Sequence, residues 1–245
     1  MHARYDEIGA GYARMRRPDP RIGGLIHDAL GPGKAVLNVG AGTGSYEPND
    51  RAVTAVEPSL EMIRARPRGR APVVQASAEA LPFGDDSFDA SMAVLTIHHW
   101  ADKARGLREM RRVTRGPIVI LTFDPVARPW PTDYFPELAA LDEGQMPTMA
   151  DYAQWLGDIE TRPVPVPHDC RDGFLYAYWR RPAAYLDPSV RSGSSSFWAL
   201  GDLEKGLLSL ERDLATGEWE RRYGHLLDLD AYDAGYRLIV ATPPE

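Results

Sequence analysis

The sequence predicts an α/β fold in which helices cover a mostly parallel sheet. Short apolar runs alternate with helix-like segments through the first half of the chain, which is the pattern of successive β-α-β units. A glycine-rich segment follows the first run, and in such sheets ligands bind at the carboxyl ends of the strands. The length of 245 residues suits one large domain.

Six apolar runs, rich in β-branched residues or alanine, have the pattern of buried strands. They are Ala35–Val39, Ala52–Val56, Val73–Ala76, Phe88–Leu95, Pro117–Phe123 and Tyr236–Ala241. Leu107 and Met110 are apolar positions at helical spacing within a predicted helix, Ala101–Thr114. A further helix is predicted after Ser59, whose hydroxyl suits an N-cap.

The composition of the chain changes after Asp124, where prolines and aromatic residues become frequent. Helical patterns recur there, at Phe174–Tyr185 and Leu203–Arg222. The aromatic residues either line an apolar pocket for a ligand or form the core of their own segment. We predict a single domain with three parts: a cofactor-binding core at 1–123, a helical, aromatic-rich insertion at 124–235 that covers the substrate, and the last strand and tail at 236–245.

Composition and charge restrict the partners. The net charge of −7 offers no basic excess for a nucleic acid or an anionic membrane. Cys170 is the one cysteine, which excludes an internal disulfide framework and cannot build a metal cluster alone. No run approaches the roughly 20 apolar residues of a membrane span, and the N-terminus lacks the apolar stretch of a signal peptide. We expect a cytoplasmic protein; its oligomeric state stays open.

Three glycines follow the first strand in the pattern G-x-G-x-G, at Gly40, Gly42 and Gly44. This is either a tight turn alone or a close approach of the backbone to a ligand. Dinucleotide sites use G-x-G-x-x-G and the N-terminus of a long helix. Here Pro48 and the early start of the second strand leave no room for that helix. The spacing favours S-adenosylmethionine, which carries no phosphate, over NAD.

Glu57 ends the second strand. A carboxylate at this place accepts hydrogen bonds from ribose hydroxyls in related nucleotide-binding sheets. The alternative is a solvated surface glutamate. The next strand ends in polar residues around Ser77 and Glu79, which are suited to contact an adenine edge.

Several segments together resemble the class I, type 11 S-adenosylmethionine-dependent methyltransferases. They are V-L-N-V-G-A-G-T-G, A-V-E-P-S, S-A-E-A-L-P-F, D-D-S-F-D and L-R-E-M-R-R-V, and they extend over half of the chain. The resemblance implies a Rossmann-like sheet of seven strands, the last one antiparallel, and methyl transfer from S-adenosylmethionine. It also implies cofactor contacts at Gly40, Ala41, Gly42, Glu57, Pro58, Ser77, Ala78, Glu79 and Leu95.

The N-terminal pattern Y-x6-Y-x4-R resembles the lid of this family. It contains Tyr5, Tyr12 and Arg17, and the resemblance implies that Arg17 binds the cofactor carboxylate. The sequence departs from the family pattern at two positions. Asn38 replaces the usual acid, and Ser77 replaces a frequent aspartate.

Two histidines are candidate catalytic residues, because an oxygen or nitrogen acceptor often needs a base. His98, beside His99, follows the fourth strand at the edge where the methyl group is expected. His168 follows a short apolar run. The alternatives are a packing role for His98 and a polar turn at His168.

We predict methyl transfer to a small molecule. One alternative is an S-adenosylmethionine-binding enzyme of non-methylating chemistry, such as cyclisation. The other is a non-catalytic partner protein that binds the cofactor. The identity of the acceptor and the methylated atom stay open.

Overall fold

The computed structural model describes residues 16–243, so Tyr5 and Tyr12 of the expected lid lie outside the described residues. The elements in chain order are α1 (Pro20–Ala29), β1 (Ala35–Val39), β2 (Ala52–Val56), α2 (Leu60–Arg64), β3 (Val73–Val74), β4 (Ala90–Val94), α3 (Lys103–Val113), β5 (Ile118–Phe123), α4 (Pro131–Tyr134), α5 (Pro136–Gln145), α6 (Met149–Leu156), β6 (Ile159–Pro163), β7 (Val166–Pro167), α7 (Pro188–Ser192), α8 (Ser195–Ala199), α9 (Glu204–Thr216), α10 (Glu218–Tyr223), β8 (Ala231–Tyr232) and β9 (Tyr236–Ala241). Short 3₁₀ helices lie at Ile97–His99, Pro182–Leu186 and Gly224–Asp228.

Within residues 16–243 the main sheet has seven strands in the order β3-β2-β1-β4-β5-β9-β6. The pairings among β1 to β5 are parallel. Strand β9 runs antiparallel to both of its neighbours, β5 and β6. This arrangement confirms the predicted mostly parallel sheet with an antiparallel last strand. Strands β7 and β8 form a separate antiparallel pair.

Both faces of the sheet are covered, as the fully buried residues of β5 show. Val119 and Leu121 belong to the apolar cluster that contains α1 and most of the aromatic residues. Ile118 and Ile120 belong to the cluster on the other face, which contains α3 and α6. Alternate residues of a strand point to opposite faces, so a strand buried on both sides is apolar throughout.

The connection between β1 and β2 contains turns and no helix over residues 40–51, as the position of Pro48 predicts. The predicted N-cap of α2 is also present, since Ser59 Oγ accepts the Met62 N–H at 3.3 Å. Both features lie just beyond the carboxyl ends of β1 and β2.

One predicted helix is wrong. Phe174–Tyr185 consists of turns followed by the 3₁₀ helix at Pro182–Leu186. Nearly every residue from 172 to 179 is buried, so the segment has no solvent-facing side that an amphipathic helix requires. Trp179 is fixed instead by tertiary contacts, and its indole N–H donates to the Val166 carbonyl at 2.9 Å.

The second half differs from the prediction at two further places. The predicted helix Leu203–Arg222 is two helices, α9 and α10, because Gly217 between them is left-handed with φ +76°. Strand β6 was not predicted, since its sequence I-E-T-R-P is polar and mostly exposed. Charged residues and proline are typical of a sheet edge.

No helix among the described residues is long and apolar enough to cross a lipid bilayer.

Candidate active site

The glycine turn packs tightly across the carboxyl ends of β1 and β2. Gly40 has φ +68°, and a Cβ at this position would lie 2.2 Å from Thr96 Oγ1. The amides of Gly40 and Ala41 both donate to the Val56 carbonyl, at 2.9 and 3.0 Å. Position 40 therefore requires glycine for its backbone conformation and for the close contact.

Glu57 holds this turn in place. Its Oε2 accepts the Gly42 N–H at 2.8 Å and its Oε1 accepts the Ser59 N–H at 3.0 Å. The residue is buried, with 7% of its surface exposed. Burial raises the pKa of the carboxyl, while the two backbone N–H groups oppose that rise. A carboxylate has about four acceptor positions, so two remain for ribose hydroxyls.

A buried ion pair fixes the other side of the turn. Arg66 and Glu47 lie 2.6 Å apart with side chains 5% and 3% exposed, and Arg66 also donates to the Gly42 carbonyl at 3.0 Å. Asn38 Nδ2 donates to Glu47 Oε1 at 3.2 Å. Glu47 thus places a carboxylate beside the position where the family has its acid. Removal of one member of such a pair costs about 3–5 kcal/mol.

The residues expected to contact adenine are in three different environments. Ser77 is exposed in the loop three residues after β3, and Ala78 is buried. Glu79 accepts the amides of Ala101 and Asp102 at 2.9 and 3.2 Å, so it secures the start of α3. Pro58, which was expected to contact the cofactor next to Glu57, is exposed. Its carbonyl accepts a hydrogen bond from the Gln75 side-chain amide at 3.2 Å.

The N-terminal part of the described chain is joined to a later loop. Asp172 accepts Arg16 Nε at 2.6 Å and the Tyr46 hydroxyl at 2.8 Å. Arg16 also lines the cavity described below. Arg17, the residue expected to bind the cofactor carboxylate, is exposed. Its role stays a prediction.

A cavity lies beyond the ends of β4 and β5. Leu95 and His98 line it from the sheet side, and Leu95 has the left-handed φ of +50°. The other lining residues are Arg16, Phe123, Asp142, Met146, Phe174, Leu175, Tyr176, Ser194, Ser195, Ser196 and Tyr236. The volume is about 50 Å³, whereas ligand pockets have about 300–1,000 Å³. Binding of an acceptor therefore requires the cavity to widen.

His98 is a neutral group in this cavity. Burial lowers the pKa of its imidazole well below the usual value, and the positive charges of Lys103 and Arg16 add to that effect. Its ring contacts His99 with centroids 3.8 Å apart and the ring planes tilted by 49°. A neutral imidazole can hydrogen-bond an acceptor, but such a low pKa makes it a weak proton acceptor.

His168 lies elsewhere. It follows β7, and its Nδ1 is 3.2 Å from the Asp230 carbonyl. It does not belong to the residues that line the cavity. Its catalytic role also stays a prediction.

Sequence reasoning did not select Asp142, which lines the cavity from α5. Only 4% of its surface is exposed. One signal was present in the sequence: Asp142 follows the buried Leu138 by four residues, which places both on one helix face.

These features define a class of protein. The glycine turn and the buried acid at the end of β2 lie at the carboxyl edge of a Rossmann-like sheet, where such sheets bind their cofactors, and the cavity lies beyond β4 and β5. These residues fit S-adenosylmethionine for two reasons. Glu57 keeps acceptor positions for a ribose, and residues 40–51 form no helix whose N-terminus could bind a phosphate.

Comparisons with known proteins agree with this class. The profile of the methyltransferase domain family matches residues 37–117. A demethylmenaquinone methyltransferase of Renibacterium salmoninarum is 39% identical over 213 residues, which cover 81% of this chain and 82% of the relative. A crystal structure of a methyltransferase attributed to an antibiotic biosynthesis pathway of Anabaena variabilis aligns with a TM-score of 0.87 at 38% identity, covering 94% of this chain and 99% of that one.

The chain belongs to the class I, type 11 S-adenosylmethionine-dependent methyltransferases. It is a methyltransferase, and S-adenosylmethionine is its cofactor. The [4+2]-cyclase SpnF shares the fold with a TM-score of 0.52 at 19% identity, covering 91% of this chain and 80% of that one.

Proposed function

We propose that the chain methylates a small, mostly apolar acceptor in the cavity at the end of β4, between Leu95 and the aromatic residues of segment 124–235. The observation that carries this proposal is the lining of the cavity, where Phe174 and Tyr176 of segment 124–235 occur together with apolar side chains such as Leu95 and Phe123 and with polar side chains such as His98. Ligand sites of this kind combine apolar walls with a small number of polar side chains.

Each part of the site has a role in this proposal. Gly40, Ala41 and Gly42 shape the cofactor turn, and Glu57 binds the ribose. Leu95 lies under the methionine moiety. His98 orients the acceptor, because it lines the cavity and remains neutral. Holding the acceptor in line with the methyl group supplies much of the rate enhancement.

The domain organisation and the partners follow from the same proposal. Residues 1–123 hold the cofactor, residues 124–235 cover the acceptor, and residues 236–245 complete the sheet and the tail. The net charge of −7 supports an acceptor other than nucleic acid or a membrane surface. A cytoplasmic location rests on composition alone.

Demethylmenaquinone methyltransferase relatives suggest a first test compound. The chain is incubated with methyl-¹³C-labelled S-adenosylmethionine and one of three probes: reduced demethylmenaquinone with a short side chain, 2-naphthol, or tryptamine. We expect one labelled methyl group in the product of at least one probe, with an equal amount of S-adenosylhomocysteine.

Two results would favour the alternatives. A probe that is converted without gaining label would indicate non-methylating chemistry on the same fold. Cofactor binding with no conversion of any probe would favour a non-catalytic partner protein or an acceptor of another class.

A further inference from the structure

Asp142 is a buried carboxyl at the acceptor side of the cavity. It lies on α5 within segment 124–235 and lines the cavity together with Leu95 and His98, which follow β4. Its Oδ2 accepts the Tyr176 hydroxyl at 3.3 Å. No other hydrogen bond to the carboxylate is present among residues 16–243, so Oδ1 is available to a ligand in the cavity.

Tyr176, the hydrogen-bond partner of Asp142, donates its hydroxyl proton to that bond and does not ionise near neutral pH. Burial raises the pKa of Tyr176 well above its usual value, and the charge of Asp142 adds to the rise. Tyr176 therefore remains protonated at neutral pH. Its hydroxyl donates to Oδ2, and Oδ1 accepts no hydrogen bond from residues 16–243.

The cationic groups near Asp142 do not neutralise it. Arg128 lowers the pKa of Asp142 from a distance, but its guanidinium is bonded to Glu143. Arg16 lines the cavity and is bonded to Asp172.

His98 and Tyr236, the other titratable side chains in the described cavity lining, are neutral near pH 7. Burial keeps the Tyr236 hydroxyl protonated and keeps the His98 imidazole unprotonated. Burial also dominates at Asp142 and raises its pKa to about 7. A base with a pKa near the working pH is the most effective kind.

We propose that Asp142 accepts the proton of the methyl acceptor, an inference that rests on the proposed function. Asp142 Oδ1 takes the proton while the acceptor atom forms its bond to the methyl carbon. The carbon–sulfur bond breaks, and its electron pair stays on sulfur to give S-adenosylhomocysteine. The proton then leaves Asp142 for solvent when the product departs.

The test compares Asp142→Asn with the matched variant Asp213→Asn. Asp213 is also buried and also accepts a tyrosine hydroxyl, from Tyr134 at 3.0 Å, but it does not line the cavity. With a methylated probe, Asp142→Asn is expected to lower kcat about 10²–10⁴-fold and leave cofactor affinity unchanged. Asp213→Asn should keep kcat within about twofold once circular dichroism shows that it is folded.

The pH profile separates proton transfer from a structural role. In the wild type, kcat/KM should rise with pH to a plateau with a midpoint near 7, because Asp142 must be ionised. Asp142→Asn should lose this acidic limb. Tyr176→Phe, which removes the hydrogen bond that lowers the pKa of Asp142, should move the midpoint to higher pH. Equal kcat in Asp142→Asn and the wild type, or an unchanged limb, would overturn the proposal.

A second readout needs no acceptor and distinguishes this inference from the proposed function. Aspartate labelled with ¹³C at the carboxyl carbon is titrated by NMR with S-adenosylhomocysteine bound. One carboxyl should titrate near pH 7 and vanish in Asp142→Asn. If no probe is methylated but this signal is present, the choice of acceptor is wrong, whereas Asp142 has the ionisation near neutral pH that its role as a base requires. Absence of any such carboxyl would overturn the role of Asp142 even if a probe is methylated.

Discussion

Glu57 accepts the amide of Gly42 at 2.8 Å, and this bond joins the acid at the end of β2 to the glycine turn at the end of β1. The same carboxylate therefore shapes the turn and, in our account, binds the ribose. Because the two tasks use different acceptor positions of one group, substitution of Glu57 affects both.

Glu57→Ala should weaken binding of S-adenosylhomocysteine by about 1–3 kcal/mol, the usual loss when hydrogen bonds to a charged acceptor are removed. Glu61→Ala is the control, since Glu61 is a nearby carboxylate whose salt bridge to Arg64 is largely exposed. Isothermal titration calorimetry measures both variants. Unchanged affinity in Glu57→Ala would place the ribose contact on another residue.

Gly40→Ala should weaken cofactor binding at least tenfold, because the new Cβ meets Thr96 at the centre of the site. Gly31→Ala is matched to it, since Gly31 has nearly the same φ of +66° but no atom within 4 Å of a Cβ. Both variants carry the backbone strain of a left-handed alanine, about 1 kcal/mol. Only Gly40→Ala should lose affinity; equal affinity in the two would contradict the described packing.

The cofactor half of the site was predictable because its signals are local. Strands Ala35–Val39, Ala52–Val56 and Tyr236–Ala241 have the predicted bounds, since each apolar run ends at a glycine or a polar residue. The glycine spacing and Glu57 also lie within a few residues of these strands. Patterns of this kind involve residues close in sequence, so the local conformation can be predicted from them directly.

The acceptor half depends on contacts between distant residues. Asp142 and Tyr176 are 34 positions apart, and no spacing rule brings them together. The segment that contains Tyr176 was predicted as a helix, because its aromatic residues have helical spacing. In the structure these residues are buried on all sides, so tertiary packing overrides the local pattern.

His98→Ala should lower kcat less than about tenfold and leave cofactor affinity unchanged, because a neutral imidazole of low pKa orients the acceptor and takes up little of its proton. His168→Ala should change kcat less than twofold, since His168 lies outside the cavity lining. Steady-state kinetics with a methylated probe measure both. A loss of 10²-fold or more in either variant would make that histidine the base and would contradict the role of Asp142.

The free energy of unfolding should depend on pH because of the raised pKa of Asp142. A folded-state pKa raised from 3.8 to about 7 means that the folded protein holds this proton more tightly than the unfolded chain. The contribution of this proton to the free energy of unfolding is fully present below about pH 4 and is lost as the pH rises to about 7. Relative to the wild type, Asp142→Asn should therefore gain up to about 4 kcal/mol in free energy of unfolding between pH 4 and pH 8. Urea denaturation at the two pH values measures this; a constant difference would contradict the raised pKa.

A crystal structure with S-adenosylhomocysteine bound tests the central claim most directly, namely that the cavity lined by Leu95, His98 and Asp142 receives the methyl acceptor. We expect the ribose hydroxyls on Glu57 and the sulfur facing this cavity, with Asp142 Oδ1 on the far side of the space for the acceptor. A sulfur atom that faces any other part of the surface, with His98 and Asp142 both turned away from it, would contradict the account.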